Sequence, residues 1–288
     1  MKKRLWLVAA TVVAAASVVG AAASAPGTPS FDRGLPTTNL NNAAGASRSN
    51  VAWSNGNDYV SGDSFAVGAG GETWLVTQIR TWTVPNDTGT GTFHFGNEYS
   101  SVALYFGPGA ISQIASGTVN LGADVNNNAN IAMTPTSYAG GSDYQGSSGT
   151  FYRLWQIDFK NLGQLVNGGQ TYFFAVDGAV TNPHDYWFNH ASNAALSGSP
   201  QQGADDHWVA WAKSGLSTPN SCDSGAPSVG VCDGGWDKSS DINVQVFASQ
   251  VVTNKDLCKD GGWQNVVGRD GTTFKNQGDC IQYANTGK

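Results

Sequence analysis

Phe151-Tyr-Arg-Leu-Trp-Gln-Ile-Asp-Phe159 decides the fold class of this chain. In an extended strand Phe151, Trp155, Ile157 and Phe159 share one face, while Gln156 and Asp158 point the other way. Working outward, similar short runs recur. They are Trp74 to Val84 (WLVTQIRTWTV), Ser101 to Phe106 (SVALYF), Thr171 to Asp177 (TYFFAVD), His184 to His190 (HDYWFNH), Trp208 to Lys213 and Asp241 to Ala248 (DINVQVFA). Between them lie loops with turn chemistry: GPG at 107–109, NNNAN at 126–130 and GGSDYQGSSG at 140–149. Many short strands without a helical period predict an all-β chain. Their unequal loops, suited to crossing connections, predict a jelly-roll-like antiparallel β-sandwich over residues 49–250.

Composition agrees. Charged residues make up 12% of the 288, about half the usual quarter. Only Glu72 and Glu98 are glutamates, against 37 glycines and 10 tryptophans. Few helix formers and many aromatics argue against a helical bundle, a coiled coil or a large doubly wound enzyme. A hydrophobic content of 40% excludes a disordered chain.

Lys2, Lys3 and Arg4 precede an apolar run from Leu5 to about Val19, and small residues follow to Ala25. This is the layout of a secretory signal peptide over residues 1–25, with cleavage between Ala22 and Ala25, and it predicts a secreted, extracellular protein. Residues 26–48, rich in proline, glycine, asparagine and threonine, read as an exposed leader that either stays free or adds an edge strand. The formal net charge is −6, and cleavage would remove three basic residues. Such an acidic protein suits neither nucleic acid nor an anionic membrane surface, and membrane insertion is not expected. Four cysteines lie in the last quarter and predict two disulfides. Three connectivities are open; the expected one joins Cys222 to Cys232 and Cys258 to Cys280, because each pair brackets a glycine-rich loop.

Residues 251–288 read as a small disulfide-closed tail. It carries CKDGGW at 258–263 and FKNQGDC at 274–280, with Tyr283 just beyond. The tail resembles a short cysteine-containing motif at the C-termini of many secreted bacterial proteins. More loosely, WLVTQIRTWTV, FYRLWQIDFKNLGQLVNGGQTYFFAV and DINVQVF resemble the surface β-sandwich domains of bacterial exported proteins. The likeness lies in pattern, and it carries no catalytic residue to this chain.

No catalytic constellation stands out. CDSGAP at 222–227 is similar to the nucleophile segment of chymotrypsin-like proteases, but no matching histidine segment accompanies it. His184 and His190, six residues apart on one strand, would sit roughly 20 Å apart, too far to share a transition metal. Glycoside hydrolysis needs two facing carboxylates; Asp158, Asp177, Asp185, Asp205 and Asp206 are available, but their spacing selects no pair. A structural calcium held by Asp58, Asp63 and Asp241 is expected where the first and last strands meet. The ligand face is expected at Asp185, Trp187, Asp205, Asp206 and Trp208, because tryptophan faces stack on sugar rings while carboxylates take hydroxyl hydrogen bonds. Within HDYWFNH, alternation suggests that Tyr186 and Phe188 point inward and Trp187 outward. The expected function is a secreted, non-catalytic binding or adhesion protein for carbohydrate or a cell-surface polymer. The alternative is a polysaccharide hydrolase or lyase using Asp or His/Asp residues.

Overall fold

The computed structural model describes residues 27–34, 51–55, 58–83, 95–120, 129–136, 143–145, 151–179, 186–190, 192, 207–222 and 241–288. The signal peptide, most of the leader, Cys232, Asp185, Asp205 and Asp206 lie outside the described residues. No described helix is long and apolar enough to cross a membrane.

Alternation in the central strand, β9 (Phe151–Asn167), places its side chains as the pattern requires. Trp155, Ile157 and Phe159 are fully buried, and Gln156 and Asp158 lie on the opposite, half-buried face. β9 pairs antiparallel with β4 (Thr73–Thr83), whose other side pairs with β14 (Val244–Val251). β7 (Ile131–Thr136) and β8 (Asp143–Gln145) extend the sheet beyond β9. β11 (Tyr186–His190) joins the end of β4 and carries β2 (Val51–Asn55). With β1 (Phe31–Asp32) and β15 (Val266–Val267) on the far edge of β14, this sheet has nine strands.

The second sheet has six strands in the order β13 (Gly215–Cys222), β12 (Trp208–Ala212), β3 (Tyr59–Phe65), β10 (Tyr172–Asp177), β5 (Ser101–Gly107), β6 (Ser112–Thr118). Consecutive strands repeatedly change sheet, from β3 to β4 to β5 and from β9 to β10 to β11 to β12, which is the crossing connectivity of the expected sandwich. The inner faces meet in one core. Phe65, Leu104, Phe106, Phe174 and Val176 pack against Val76, Ile79, Trp155, Ile157, Phe159, Val244 and Val246. β9 runs past the expected end at Phe159 because Asn161 (φ 55°) and Gly163 (φ 62°) form a bulge opposite Val76 and Gln78, which bends the strand without ending it.

The described part of the leader, residues 27–34, is not free. Phe31 and Asp32 pair with Val246 and Gln245, and Arg33 is 1% exposed. Its guanidinium pairs with Asp63 of β3 and lies 3.3 Å from Asp241, both carboxylates fully buried. Asp63 also accepts the Ile242 and Ser64 N–H groups, at 2.7 and 2.6 Å. The Arg33 carbonyl accepts from Ser192 Oγ and Asn243 Nδ2, at 2.6 and 3.2 Å. Asp63 and Asp241 do converge, but the cation facing them is Arg33. Asp58 is exposed five residues along the chain from Asp63, about 16 Å away if extended. Among the described residues no group of three His, Cys, Asp or Glu side chains could hold a metal.

The tail folds around its own small core of Val252, Cys258, Val266, Phe274 and Cys280. The expected Cys258–Cys280 disulfide is present, and Cys222 is disulfide-bonded as well. The motif residues have local tasks. Asn276 caps α2 (Gln277–Thr286) by accepting the Asp279 N–H at 2.9 Å, and Asp279 accepts the Lys275 N–H at 3.0 Å. Tyr283 Oη accepts the Arg269 N–H at 2.8 Å, and a Cβ at Gly268 would come within 2.8 Å of that ring.

Removing the Arg33 charge leaves two buried carboxylates uncompensated. Arg33→Met is expected to lower unfolding free energy by about 3–5 kcal/mol, measured by denaturant titration; a loss near zero would mean that another cation holds Asp63 and Asp241. The tail disulfide spans 22 residues of sequence, a closure worth roughly 3 kcal/mol on chain entropy. Reductant should therefore speed proteolysis within 252–288 while sandwich tryptophan fluorescence stays native; proteolysis indifferent to reductant would contradict this.

Candidate functional site

Trp187, the side chain expected to face solvent, is fully buried. Its indole N–H donates to Asn189 Oδ1 at 2.9 Å, and its ring lies 4.8 Å from Tyr99 and 6.0 Å from Phe95. Phe95 belongs to α1 (Phe95–Glu98), a short helix that periodicity did not reveal. A Cβ at Gly178 would come within 2.6 Å of the Trp187 ring, so glycine is needed where the chain passes over it. The reason for the error is physical. Phe188, on the opposite face, is also buried, so β11 is covered on both sides and alternation could not say which face met solvent. Trp208 is likewise fully buried, opposite Cys222. His190 is buried too, with Nδ1 2.6 Å from Asn243 Oδ1. Trp187 and Trp208 are thus both core residues, and the other expected ligand residues, Asp185, Asp205 and Asp206, lie outside the described residues.

Two outward sheet faces remain. On the nine-stranded sheet, Asp32, Gln245, Arg80 and Asp158 stand in register across β1, β14, β4 and β9. Asp158 accepts from Arg80 Nε and Nη2 at 2.5 and 3.1 Å, and from Gln78 and Gln156 Nε2 at 3.2 Å each. A carboxylate has about four lone-pair sites, and here all four are taken. Three strand spacings put Asp32 about 14 Å from Asp158, outside the range for a glycosidase pair. This row staples strands together; it has little hydrogen-bonding capacity left for a ligand.

The outward face of the six-stranded sheet differs. In β10 the residues alternating with the core-facing Tyr172, Phe174 and Val176 are Phe173, Ala175 and Asp177. Tyr105, opposite Ala175 on β5, joins them, as does Trp211 from β12. The floor is small. Ala175 is fully buried, and Gly62, opposite it on β3, has no room for a Cβ because the Phe174 carbonyl lies there. Trp211 meets Phe173 edge-on, ring centroids 5.7 Å apart, and donates its indole N–H to the Gly109 carbonyl at 3.1 Å. The GPG turn thus folds over Trp211, and the Ile111 N–H donates to Leu216 at 2.9 Å, closing one end. Phe173 and Tyr105 remain half-buried at the open part.

Asp177 lies in this patch, its side chain 5% exposed, paired with Lys213, whose side chain is 26% exposed. Burial, and then the Asp177 carboxylate, hold the Tyr105 hydroxyl above its ordinary pKa, keeping it protonated as a donor. Asp58, expected as a metal ligand, belongs to the same end of the sheet, since its carbonyl accepts the Lys213 N–H at 2.7 Å. Aromatic faces, a hydroxyl, an ammonium and a carboxylate therefore meet on one outward surface. Asp177 is one of the acids whose spacing selects no pair, and no motif in the sequence singles out Tyr105, Phe173 or Lys213. The alternation in TYFFAVD was the available signal, because it puts Phe173 and Asp177 on one face.

The chain matches no protein-family model, no curated protein and no solved structure.

The Tyr105 environment is testable by titration. A folded pKa raised above the unfolded value stabilises the fold below pH about 10, and that contribution is lost as pH rises through the folded value. The tyrosinate difference spectrum between the wild type and Tyr105→Phe should therefore show a group ionising later than ordinary tyrosine. Asp177→Asn should move that ionisation to lower pH. An unchanged titration in Asp177→Asn would separate the two side chains.

Proposed function

We propose that this chain is a secreted, non-catalytic binding protein that holds a carbohydrate polymer against the outward face of its six-stranded sheet. The observation that carries the reading is the pair of half-buried rings, Tyr105 and Phe173, on the outward side of this sheet, with the Asp177–Lys213 pair close enough to act on the Tyr105 hydroxyl. Desolvating such a pair is costly, and a well-packed apolar pair would close the sheet face more stably. In a chain with 12% charged residues, an acid and an ammonium beside half-buried aromatic rings are suited to a polyol. The rings stack on the apolar faces of sugars, while the Tyr105 hydroxyl donates to their oxygens. The tail disulfide fits the oxidising compartment that the N-terminal layout implies.

The test is retention on a panel of xylan, mannan, β-glucan and dextran, with reducing ends scored separately. Tyr105→Ala should weaken retention by about tenfold, the scale of an aromatic contact of ~1.5 kcal/mol. Trp187→Ala should instead lower stability by about 3–5 kcal/mol and leave retention per folded molecule unchanged. No polymer retained would overturn the reading, and reducing ends that rise with time would replace it with the hydrolase.

A further inference from the structure

The sequence holds four aspartyl-glycyl steps, at Asp177, Asp233, Asp260 and Asp270. Glycine after aspartate leaves the main-chain nitrogen unshielded, so that it can attack the aspartyl side-chain carbon. Asp233 lies outside the described residues. Asp177 is buried and paired with Lys213, and Gly178 is wedged on the Trp187 ring. The asparaginyl step Asn167–Gly168 is held too, since the Gly168 N–H donates to the Glu72 carbonyl at 2.9 Å. Two matched steps remain in the disulfide-closed tail, Lys259-Asp-Gly261 and Arg269-Asp-Gly271, both with exposed aspartates.

The tail holds these two differently. The Gly271 N–H donates to the Gly268 carbonyl at 3.0 Å, and Asp270 Oδ1 accepts the Thr272 N–H at 3.0 Å. That bond holds the Asp270 carboxyl below the usual carboxylate range and so keeps it ionised. At the other step the Gly262 N–H donates to the Lys259 carbonyl at 2.8 Å. It closes a turn over Asp260 (φ 52°) and Gly261 (φ 85°, ψ −2°). Two positive φ values make the turn type I′, for which Asp-Gly is a preferred pair. No described group bonds the Gly261 N–H or the Asp260 carbonyl. The peptide between them can therefore rotate without breaking a hydrogen bond, converting type I′ to type II′ under the same closing bond. Type II′ keeps φ of its first central residue near +60° and brings ψ to roughly −120°. At that ψ the Gly261 nitrogen eclipses Asp260 Cβ, as closure of a five-membered ring requires.

We propose that Asp260 is a site of spontaneous modification, cyclising with Gly261 to a succinimide and reopening as isoaspartate. The Gly261 nitrogen bonds to Cγ of the protonated carboxyl and gives its proton to solvent. The Cγ–OH bond breaks, and the oxygen leaves as water. Water then adds to either ring carbonyl and breaks that carbon's bond to nitrogen. Opening at the main-chain carbonyl leaves the chain running through Cγ, one methylene longer, with the former main-chain carbon as a free carboxylate. One water is lost and one regained, so no other reactant is needed. The added methylene has little room, since a Cβ at Gly262 would already lie 2.2 Å from the Leu257 carbonyl.

Ageing the oxidised full chain in mildly acidic buffer made with heavy-oxygen water, followed by peptide mapping, tests the site. Each ring opening leaves one heavy oxygen, and isoaspartate resists a protease that cleaves before aspartate. The peptide holding Asp260 should gain label and resistance several-fold faster than the peptide holding Asp270. In the reduced chain in denaturant the two should react alike, because the turn no longer selects between them. Asp260→Glu, which would need a six-membered ring, should lose the label at this site alone. Equal labelling of Asp260 and Asp270 in the folded chain, label persisting at Asp260→Glu, or the same bias surviving denaturation overturns the proposal.

Discussion

The guanidinium of Arg33 between Asp63 and Asp241 is the constraint on which the sandwich depends. It brings together three charges, from the N-terminal strand, from β3 of the opposite sheet and from the segment entering β14. Out of water such groups are tolerated only when every polar atom around them is answered. The surrounding bonds show how far this has gone: Ile242 and Ser64 donate to Asp63, and Ser192 and Asn243 donate to the Arg33 carbonyl. The same bonds fix which residue of β14 faces Asp32 and tie the two sheets at one end. Two strand pairs and the sheet-to-sheet contact thus share one ionic joint.

The rest of the molecule is held mostly by aromatic and aliphatic packing, which makes its few remaining charged groups informative. On one outward face Asp158 has its lone pairs filled by Arg80, Gln78 and Gln156, and the row reads as a cross-strand staple. On the other, Asp177 pairs with Lys213 and acts on the half-buried Tyr105, whose cross-strand neighbour Ala175 lies opposite Gly62. The two faces have similar residue types.

The two-sheet fold was legible because side-chain alternation survives in most strands: Trp155, Ile157 and Phe159 point inward as their spacing demanded. The tail disulfide was legible for a different reason, since two cysteines close a segment too short for a full core. β6 and β13 were not foreseen. Their runs, SQIASGT and GLSTPNSC, are polar edge strands recognisable only through the neighbours they pair with. Alternation alone does not say which ring of β11 meets solvent. Trp187, Trp208 and Trp211 are all fully buried, and smaller rings, Tyr105 and Phe173, line the open part of the surface. Size explains this: the largest apolar side chains gain most from burial. Asp63 and Asp241 meet at Arg33, which the proline- and asparagine-rich composition of the leader conceals in the sequence.

Hydrogen exchange of the oxidised chain, with and without a retained polysaccharide, tests the central claim most directly. The account predicts added protection in Ala103–Gly107, Phe173–Asp177 and Trp211–Leu216, with the Asp32–Arg80–Asp158 row unchanged. Protection confined to that row or to residues 252–288, with none at Tyr105 and Asp177, would contradict it.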